Sequence, residues 1–373
     1  MLKIVFLILV AVHGLIHIMG VVKAFHLADI KELTLPISKP MGIIWLLAAV
    51  LFLATFILFL LHQPWWWMAA VPALVLSQLL IFVYWKDAKF GTLANVLILL
   101  PTIVAYGHWS FSAMAQNELR EMWPTTISPT VVTESELSAL PPIVATWLRQ
   151  SQAVGKARIA RVHLEQRGEM RTSPEGKWMP FTAEQWFATA EPAFLWWADV
   201  KAAPGFFFTG RDKYMNGQGH MLIKILSLFP VADATGSKID QGTLLRYLAE
   251  TCWFPSAASH ETITWESLDS TSARATMTYR GVSASGTFSF TETGILTSFQ
   301  AQRYYSDNGD GTLETWLVEN DVTSLQEFQG MRIPTQSTVT WKLDSGDYTW
   351  LRLKILNIQY NKAAKGRLGK VGA

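Results

Sequence analysis

Four long apolar runs fill the first third of this 373-residue chain, and they constrain everything that follows them. They cover residues 2–22, 41–61, 65–84 and 93–111. A helix rises about 1.5 Å per residue, so each run is about the length that crosses a bilayer. Backbone in hydrocarbon must satisfy its own hydrogen bonds, which only helices and closed barrels achieve. The reading is an N-terminal bundle of four transmembrane helices over residues 1–111. No small-residue cleavage site ends the first run, so it is read as a span and not as a removed leader.

The short loops carry an orientation signal. Lys23, Lys31 and Lys39 follow the first run, and Lys86 and Lys89 follow the third. The opposite side holds only Lys3 and Arg120. Lysine-rich short loops face the cytoplasm. The expected location is therefore the bacterial inner membrane, multi-pass, with everything after residue 112 outside the cytoplasm. Trp65, Trp66, Trp67 and Trp109 fall where an aromatic belt meets the outer interface.

Residues 112–156 read as a connector with short helices. Pro124 and Pro129 interrupt its first part. Thr133 to Glu136 has the form of a capping box, and Pro142 suits the first position of a helix reaching about Gln152. From about Ala157 the apolar period changes from 3.6 to 2, as in Ile159 to Glu165, Ala273 to Tyr279 and Thr338 to Leu343. Turn-forming clusters at Ser173 to Gly176, Asp307 to Gly311 and Asp344 to Asp347 separate the segments. About ten or eleven strands are expected over residues 157–362. The fold class is then an antiparallel β domain, a bent sheet or open barrel covered by helices, followed by a flexible basic tail at 363–373.

One amphipathic helix interrupts the strands, Ile239 to Pro255. Leu244, Leu245, Leu248 and Trp253 form its apolar stripe. Arg246 and Glu250, four apart, share a face and pair. Asp240 suits the N-cap and Pro255 the stop. Such a helix covers a sheet face or plugs a half-closed barrel. In the second case it walls an apolar cavity, with Leu245, Leu248 and Trp253 towards the strands and Arg246 and Glu250 near the mouth.

Other candidates are fewer. Arg211, Asp212 and Tyr214 sit beside a glycine-rich turn, Asn216 to Gly219, too rich in charge for a plain hairpin. Arg303 is a further charge in an apolar setting. With Arg246 and Glu250 these form a candidate ligand-binding set, a polar headgroup lying near Arg246 or Arg211. The competing reading, which Arg246, Glu250, Asp240 and Arg303 favour, is that the charges pair and only fix the helix onto the sheet. His13 and His17 share one face of the first helix at membrane depth. They are read as interhelical hydrogen-bonding groups, with metal or haem ligation or a proton relay as the alternative. The turn Trp85 to Thr92 reads as a capped turn with cytoplasmic lysine anchors.

Composition sets the exclusions. With 17 Trp and 20 Phe the chain suits a membrane or lipid-facing setting, and a net charge of +2 gives no nucleic-acid footprint. The single cysteine, Cys252, excludes an intrachain disulfide. There is no GxSxG, no HExxH and no suggestive Cys–His spacing, so no catalytic set is recognised and no cofactor is expected. Oligomeric state leaves no signal.

Six phrases occur together: HGLIHIMG at 13–20, WKDAKFGTLAN at 85–95, WMPFTAEQ at 178–185, GRDKYMNGQGHM at 210–221, IDQGTLLRYLAE at 239–250 and RYY at 303–305. The combination resembles an uncharacterised family of bacterial integral membrane proteins, a domain of unknown function. That resemblance implies no activity. The β segment is also similar in layout to the periplasmic lipoprotein carriers, which implies an apolar cavity. The expected function is a membrane-tethered binding domain for a lipid, a lipoprotein acyl chain or another hydrophobic ligand. The alternatives are a redox or haem protein using His13 and His17, and an envelope scaffold without ligand.

Overall fold

The structure is a computed structural model that describes residues 2–123, 130–305 and 311–362. Pro124, Pro129, Asp307 to Asp310 and the tail at 363–373 lie outside the described residues. The chain divides into two compact units, one of Met1–Ser112 with Leu226–Leu228, the other of Ala113–Ile225 with Phe229–Ala373.

The first unit is helical. Its helices are α1 (Leu2–Ala24), α2 (Lys39–Leu60), α3 (Trp67–Val83), the short α4 (Trp85–Ala88) and α5 (Gly91–Met122), whose last residues from Ala113 belong to the second unit. Three of them, α1, α2 and α5, are long and apolar enough to cross a membrane. The third expected span is shorter, 17 residues in α3. Apolar side chains cover the outside of this unit: Ile4, Leu15, Leu53, Leu79 and Leu93 are all more than half exposed. Close packing lies inside. A Cβ on Gly20 would come 2.1 Å from the Trp45 ring, so only glycine lets α1 and α2 meet at that level.

α5 corrects the sequence reading. Its helical period continues to Met122, eleven residues past the end of the apolar run, and turns amphipathic there: Ala115, Leu119 and Met122 are buried while Asn117 and Glu121 are not.

The second unit holds α6 (Glu134–Leu137), α7 (Pro142–Gln150) and α8 (Ser237–Glu250). Pro142 opens α7 as expected, but the Thr133 hydroxyl bonds the Glu136 carboxylate at 3.2 Å and not a helix N–H. Fifteen strands stand among the described residues, more than expected because several are too short to show a period. They are β1 (Arg161–Met170), β2 (Met179–Ala188), β3 (Ala193–Ala203), β4 (Phe206–Met215), β5 (Gln218–Ile225), β6 (Phe229–Ala234), β7 (Ile263–Ser267), β8 (Ser272–Tyr279), β9 (Val282–Phe290), β10 (Leu296–Tyr305), β11 (Thr312–Asn320), β12 (Leu325–Phe328), β13 (Met331–Pro334), β14 (Gln336–Leu343) and β15 (Gly346–Tyr360).

Thirteen of the strands form one sheet, in the order β6-β5-β4-β3-β2-β1-β15-β14-β11-β10-β9-β8-β7. Every pairing is antiparallel. The sheet bends into a half-barrel, because α8 packs on β4 and β5 near one edge and on β8, β9 and β10 near the other. Register shifts at Glu165/Gln166 and Val339/Thr340 sit near the centre of the sheet, where bulges add twist and curvature.

Cross-strand neighbours share a face, so the ladder defines an inner surface. Its rows read Val162, Phe187, Phe194 and Tyr214, and further along Gly168, Phe181, Val200 and Phe208. Helix α8 fills this concavity. Leu244, Leu245 and Leu248 have no exposed surface, and they join one continuous core with Phe187, Phe194, Phe288, Phe299 and Trp147. The expected cavity beneath the helix is therefore occupied by side chains.

The helix differs from expectation at both ends. It starts at Ser237, so Asp240 lies inside the first turn, and its Oδ1 accepts the Gly219 N–H at 2.7 Å. It stops at Glu250, followed by the turns Thr251–Trp253 and Pro255–Ser259. Trp253 thus belongs to the turn beyond the helix, where its carbonyl accepts the Tyr360 hydroxyl at 2.7 Å.

Candidate functional site

The polar stripe of α8 is Gly242, Arg246 and Glu250, spaced by one turn each. Arg246 is held from three sides. Its Nε donates to Glu250 Oε1 at 2.8 Å and one terminal nitrogen donates to Asp212 Oδ2 at 2.8 Å. Its guanidinium also lies 5.1 Å from the Phe194 ring centre and 5.0 Å from that of Trp196. Neither Arg246 nor Glu250 sits at a solvated mouth, as had been expected; both are largely buried.

Burial is tolerated because most of the donors and acceptors are matched, Asp212 Oδ1 being left without a partner among the described residues. Gln185 Nε2 donates to the second Glu250 oxygen at 2.7 Å, Gln166 Nε2 reaches Gln185 Oε1 at 3.4 Å, and Trp196 Nε1 donates to Gln166 Oε1 at 3.0 Å. Burial pushes the Glu250 carboxyl above its usual range, and Arg246 opposes that push. Burial alone would depress Arg246, but Glu250 and Asp212 outweigh it and hold the guanidinium above its ordinary value. The network sets two carboxylates against one guanidinium, and Arg303 is the next cation, attracted by Asp212 and Glu250 without touching either.

Gln166, Gln185 and Trp196 were missed from sequence. The available signal was phase: Gln185 alternates in step with Phe181, Ala183 and Phe187, so its side chain had to enter the core. The neighbouring Glu184 points the other way and pairs with His163 at 3.0 Å.

The same alternation separates Arg211 from Asp212. Asp212 faces inward to Arg246, while Arg211 lies on the outer face. There it contacts Glu118 of α5 at 3.0 Å and donates to the His220 carbonyl at 2.6 Å, and Lys213 joins Glu118 at 2.8 Å. Burial depresses Arg211, and Glu118 offsets part of that. Arg211 thus anchors the last turns of α5, those from Ala113 within the second unit, to the sheet and takes no part in the inner site. Tyr214 faces inward and is fully buried, its hydroxyl without a hydrogen-bond partner among the described residues.

Arg303, on β10, lies next to the α8 stripe. A Cβ added to Gly242 would sit 3.3 Å from its Nε. Its guanidinium lies 4.8 Å from the Trp316 ring and 5.8 Å from the Trp341 ring, and these two tryptophans are direct cross-strand partners. Glu314 faces Arg303 across the ladder but accepts instead from the Thr312 hydroxyl at 2.8 Å. Desolvation pushes Arg303 down to about 10, against the attraction of Asp212 and with the repulsion of Arg246.

Beyond the α8 stripe the inner face stays apolar but is only half covered. Met170, Met179, Trp196, Phe208, Tyr305 and Leu353 pack against the core and keep part of their surface exposed. A separate open groove of about 770 Å³ runs between Glu327–Gln329 and Asn357–Gln359, and it shares no residue with this region.

In the first unit His13 and His17 are buried. His13 Nε2 lies 2.8 Å from Asn95 Oδ1 and 3.1 Å from Ser77 Oγ, and Asn95 continues the chain to Gln78 at 3.0 Å. His17 Nδ1 donates to the His13 carbonyl at 2.8 Å. His13 thereby joins α1 to α3 and α5, while the His17 bond stays within α1. Among the described residues no group of three or more His, Cys, Asp or Glu could hold a metal ion. In the turn after α3, Asp87 accepts the N–H groups of Thr34 and Leu35 at 2.6 and 2.9 Å, so it fastens the loop between α1 and α2. Cys252 is buried and burial raises its thiol far above the usual value, which suits packing and not nucleophilic chemistry.

These features define a class: apolar, membrane-type helices joined to an antiparallel half-barrel filled by one helix. The chain belongs to the family of unknown function DUF6544, whose model matches residues 130–353. No curated protein sequence matches it significantly. Among solved structures, it is similar to a domain named for outer membrane lipoprotein sorting from Vibrio parahaemolyticus, at 6% identity over 55% of this chain and 87% of that one, TM-score 0.32. It is also similar to a DUF1329 family protein from Desulfovibrio piger, at 9% identity over 63% and 96% of the two chains, TM-score 0.33. A β-barrel-like protein of domain DUF1849 from Brucella abortus shares 9% identity over 55% of this chain and all of its own, TM-score 0.23. Likenesses at these scores describe layout and say nothing of ligand.

Proposed function

We propose that the half-barrel binds a hydrophobic or amphiphilic ligand, a membrane lipid or lipoprotein acyl chain, at the part of its inner face that α8 leaves half covered. The observation that carries this reading is the run of Met170, Met179, Trp196, Phe208, Tyr305 and Leu353 on one concave surface, apolar and still partly open. A concave apolar lining with a few convergent polar groups is the usual form of a small-molecule site. The Arg246 network and Arg303 supply those polar groups at its border. Because Leu244, Leu245 and Leu248 fill the space under the helix, the ligand lies beside α8 and not beneath it.

Native mass spectrometry of the full chain after mild detergent extraction tests this. A mass increment matching a retained lipid is expected. A chain that stays folded and carries no adduct, even after added lipid, would favour the scaffold reading.

The helical unit anchors the binding domain in this proposal. It is read as a bundle of four spans in a bacterial inner membrane, α3 crossing despite its shortness through the adjoining Trp65 and Trp66. Five lysines in the loops after the first and third spans, against Lys3 and Arg120 opposite, put the half-barrel outside the cytoplasm. A reporter fused after Lys362 that is active only outside the cytoplasm should be active. Activity there of a reporter that works only in the cytoplasm would reverse the topology.

A further inference from the structure

We propose that Arg303 is the head-group site, and that it selects amphiphiles bearing a single anionic group such as a carboxylate. This rests on the amphiphile reading above and deepens it. The starting point is a contrast between two arginines on the same inner face. Arg246 is saturated: Glu250 and Asp212 take its charge, and Phe194 and Trp196 cover its faces. Arg303 has the aromatic half of that environment, while the acids Asp212 and Glu250 attract it only from beyond salt-bridge distance. Trp316 and Trp341 lie against its guanidinium, yet among the described residues it has neither a salt bridge nor a hydrogen bond, and Glu314, the acid facing it, is turned to Thr312.

A guanidinium carries five N–H donors and no acceptor. In water those donors cost nothing to leave unpaired by protein, but here the group is half-buried against two indoles, where an unmatched charge is unfavourable. An anion of planar, forked geometry is the group that satisfies it best, because a carboxylate accepts two parallel N–H bonds. Trp316 adds a further buried donor, since its Nε1 has no acceptor among the described residues. Gly242 has the complementary role. Any side chain there would come within 3.3 Å of Arg303 Nε, so the glycine keeps the approach to the guanidinium clear. The half-covered apolar residues adjoin this point: Tyr305 is two positions along β10, and its ring centre lies 5.0 Å from that of Trp341. A chain lying on Tyr305 and its neighbours would present its charged end to Arg303.

The test compares palmitate with hexadecanol, which share a chain and differ in head group. The full chain, in non-ionic detergent and freed of co-purified lipid, is titrated with each and read by native mass spectrometry. Wild type should hold palmitate at least about tenfold more tightly than the alcohol, the scale of one charge-assisted hydrogen-bonded pair. In Arg303→Gln that preference should vanish while the alcohol binds as before. Arg303→Lys should keep part of it, because the charge stays but the flat fork is lost. Arg303→Lys should melt close to wild type, and Arg303→Gln, which also removes the attraction of Asp212 and Glu250, should melt lower yet stay folded, which its retained binding of hexadecanol reports. Equal binding of acid and alcohol by wild type, or a preference that survives in Arg303→Gln, would overturn the head-group assignment and leave the amphiphile reading standing. Displacement of palmitate by acetate at matched concentration would overturn the amphiphile reading on which the proposal rests. Binding of neither probe by a folded chain would overturn both.

Discussion

Leu248→Trp should destabilise the half-barrel by about 1 to 3 kcal/mol, the usual cost of forcing extra volume into a filled core. Leu248→Ala should cost about 2 to 5 kcal/mol, since it removes packed atoms and leaves a void the surroundings only partly close. Both figures follow from one fact: Leu248 has no exposed surface and shares its core with Leu244, Leu245, Phe187, Phe254 and Phe288. The strands around α8 come from distant parts of the sheet, so the helix holds the curvature and a misfit there is felt at both edges. The measurement is the denaturation midpoint of the purified full chain, followed by tryptophan fluorescence. The tryptophan variant is the sharper probe. Full stability together with reduced lipid retention would mean that the ring had entered ligand space, and the ligand would then belong beneath the helix.

Why the sequence pointed to a cavity there is instructive. The stripe Leu244, Leu245 and Leu248 correctly identifies a helix with a buried face, and the surrounding period-2 segments correctly identify an antiparallel sheet. Periodicity states which side of a helix is apolar. It does not state how much volume the opposing strands bring, and that is what decides between a wall and a plug. Phe187, Phe288 and Phe299 fill the space, and each lies about forty to sixty residues from Leu248 in the chain. The same limit applies to the charges. Arg246 and Glu250 could be paired from their spacing alone. That Asp212 joins them and Arg211 does not is set by strand phase in β4, one residue of which reverses the face. The Gln166, Gln185 and Trp196 relay needed the register of three strands at once. Orderly helical features carried further. The apolar runs located α1, α2 and α3 within a few residues, and Gly14 and Gly20 marked the close approach of α1 to α2. The end of α5 was missed because its last turns bury Ala115, Leu119 and Met122 among polar residues, too few apolar positions to stand out from a connector.

Arg246→Met should cost about 3 to 5 kcal/mol, because removing one partner of a buried ion network strands the others. Glu250 would keep Gln185 as a donor but lose the cation 2.8 Å away, and Asp212 would lose its only hydrogen-bonded cation among the described residues. Methionine fills much of the arginine stem's volume, so the loss reports charge more than packing. The pH dependence separates the two. In the native chain burial already raises the Glu250 carboxyl above its usual range, with Arg246 holding it down. Without Arg246 the folded state binds that proton more tightly than the unfolded chain does. A carboxyl raised in the fold contributes stability that is present below its unfolded value and lost as the pH climbs through its folded value. The penalty of Arg246→Met relative to wild type should therefore shrink on acidification into the carboxylate range and grow towards neutrality. Adding Glu250→Gln should remove most of that slope and recover part of the stability, since a neutral amide still meets Gln185 without carrying a stranded charge. Chemical denaturation of wild type, both single variants and the double variant across that range measures all of it. A penalty that is flat with pH and untouched by Glu250→Gln would mean that Arg246 acts through its aliphatic stem on Phe194 and Trp196, and not through the charge it shares with Glu250.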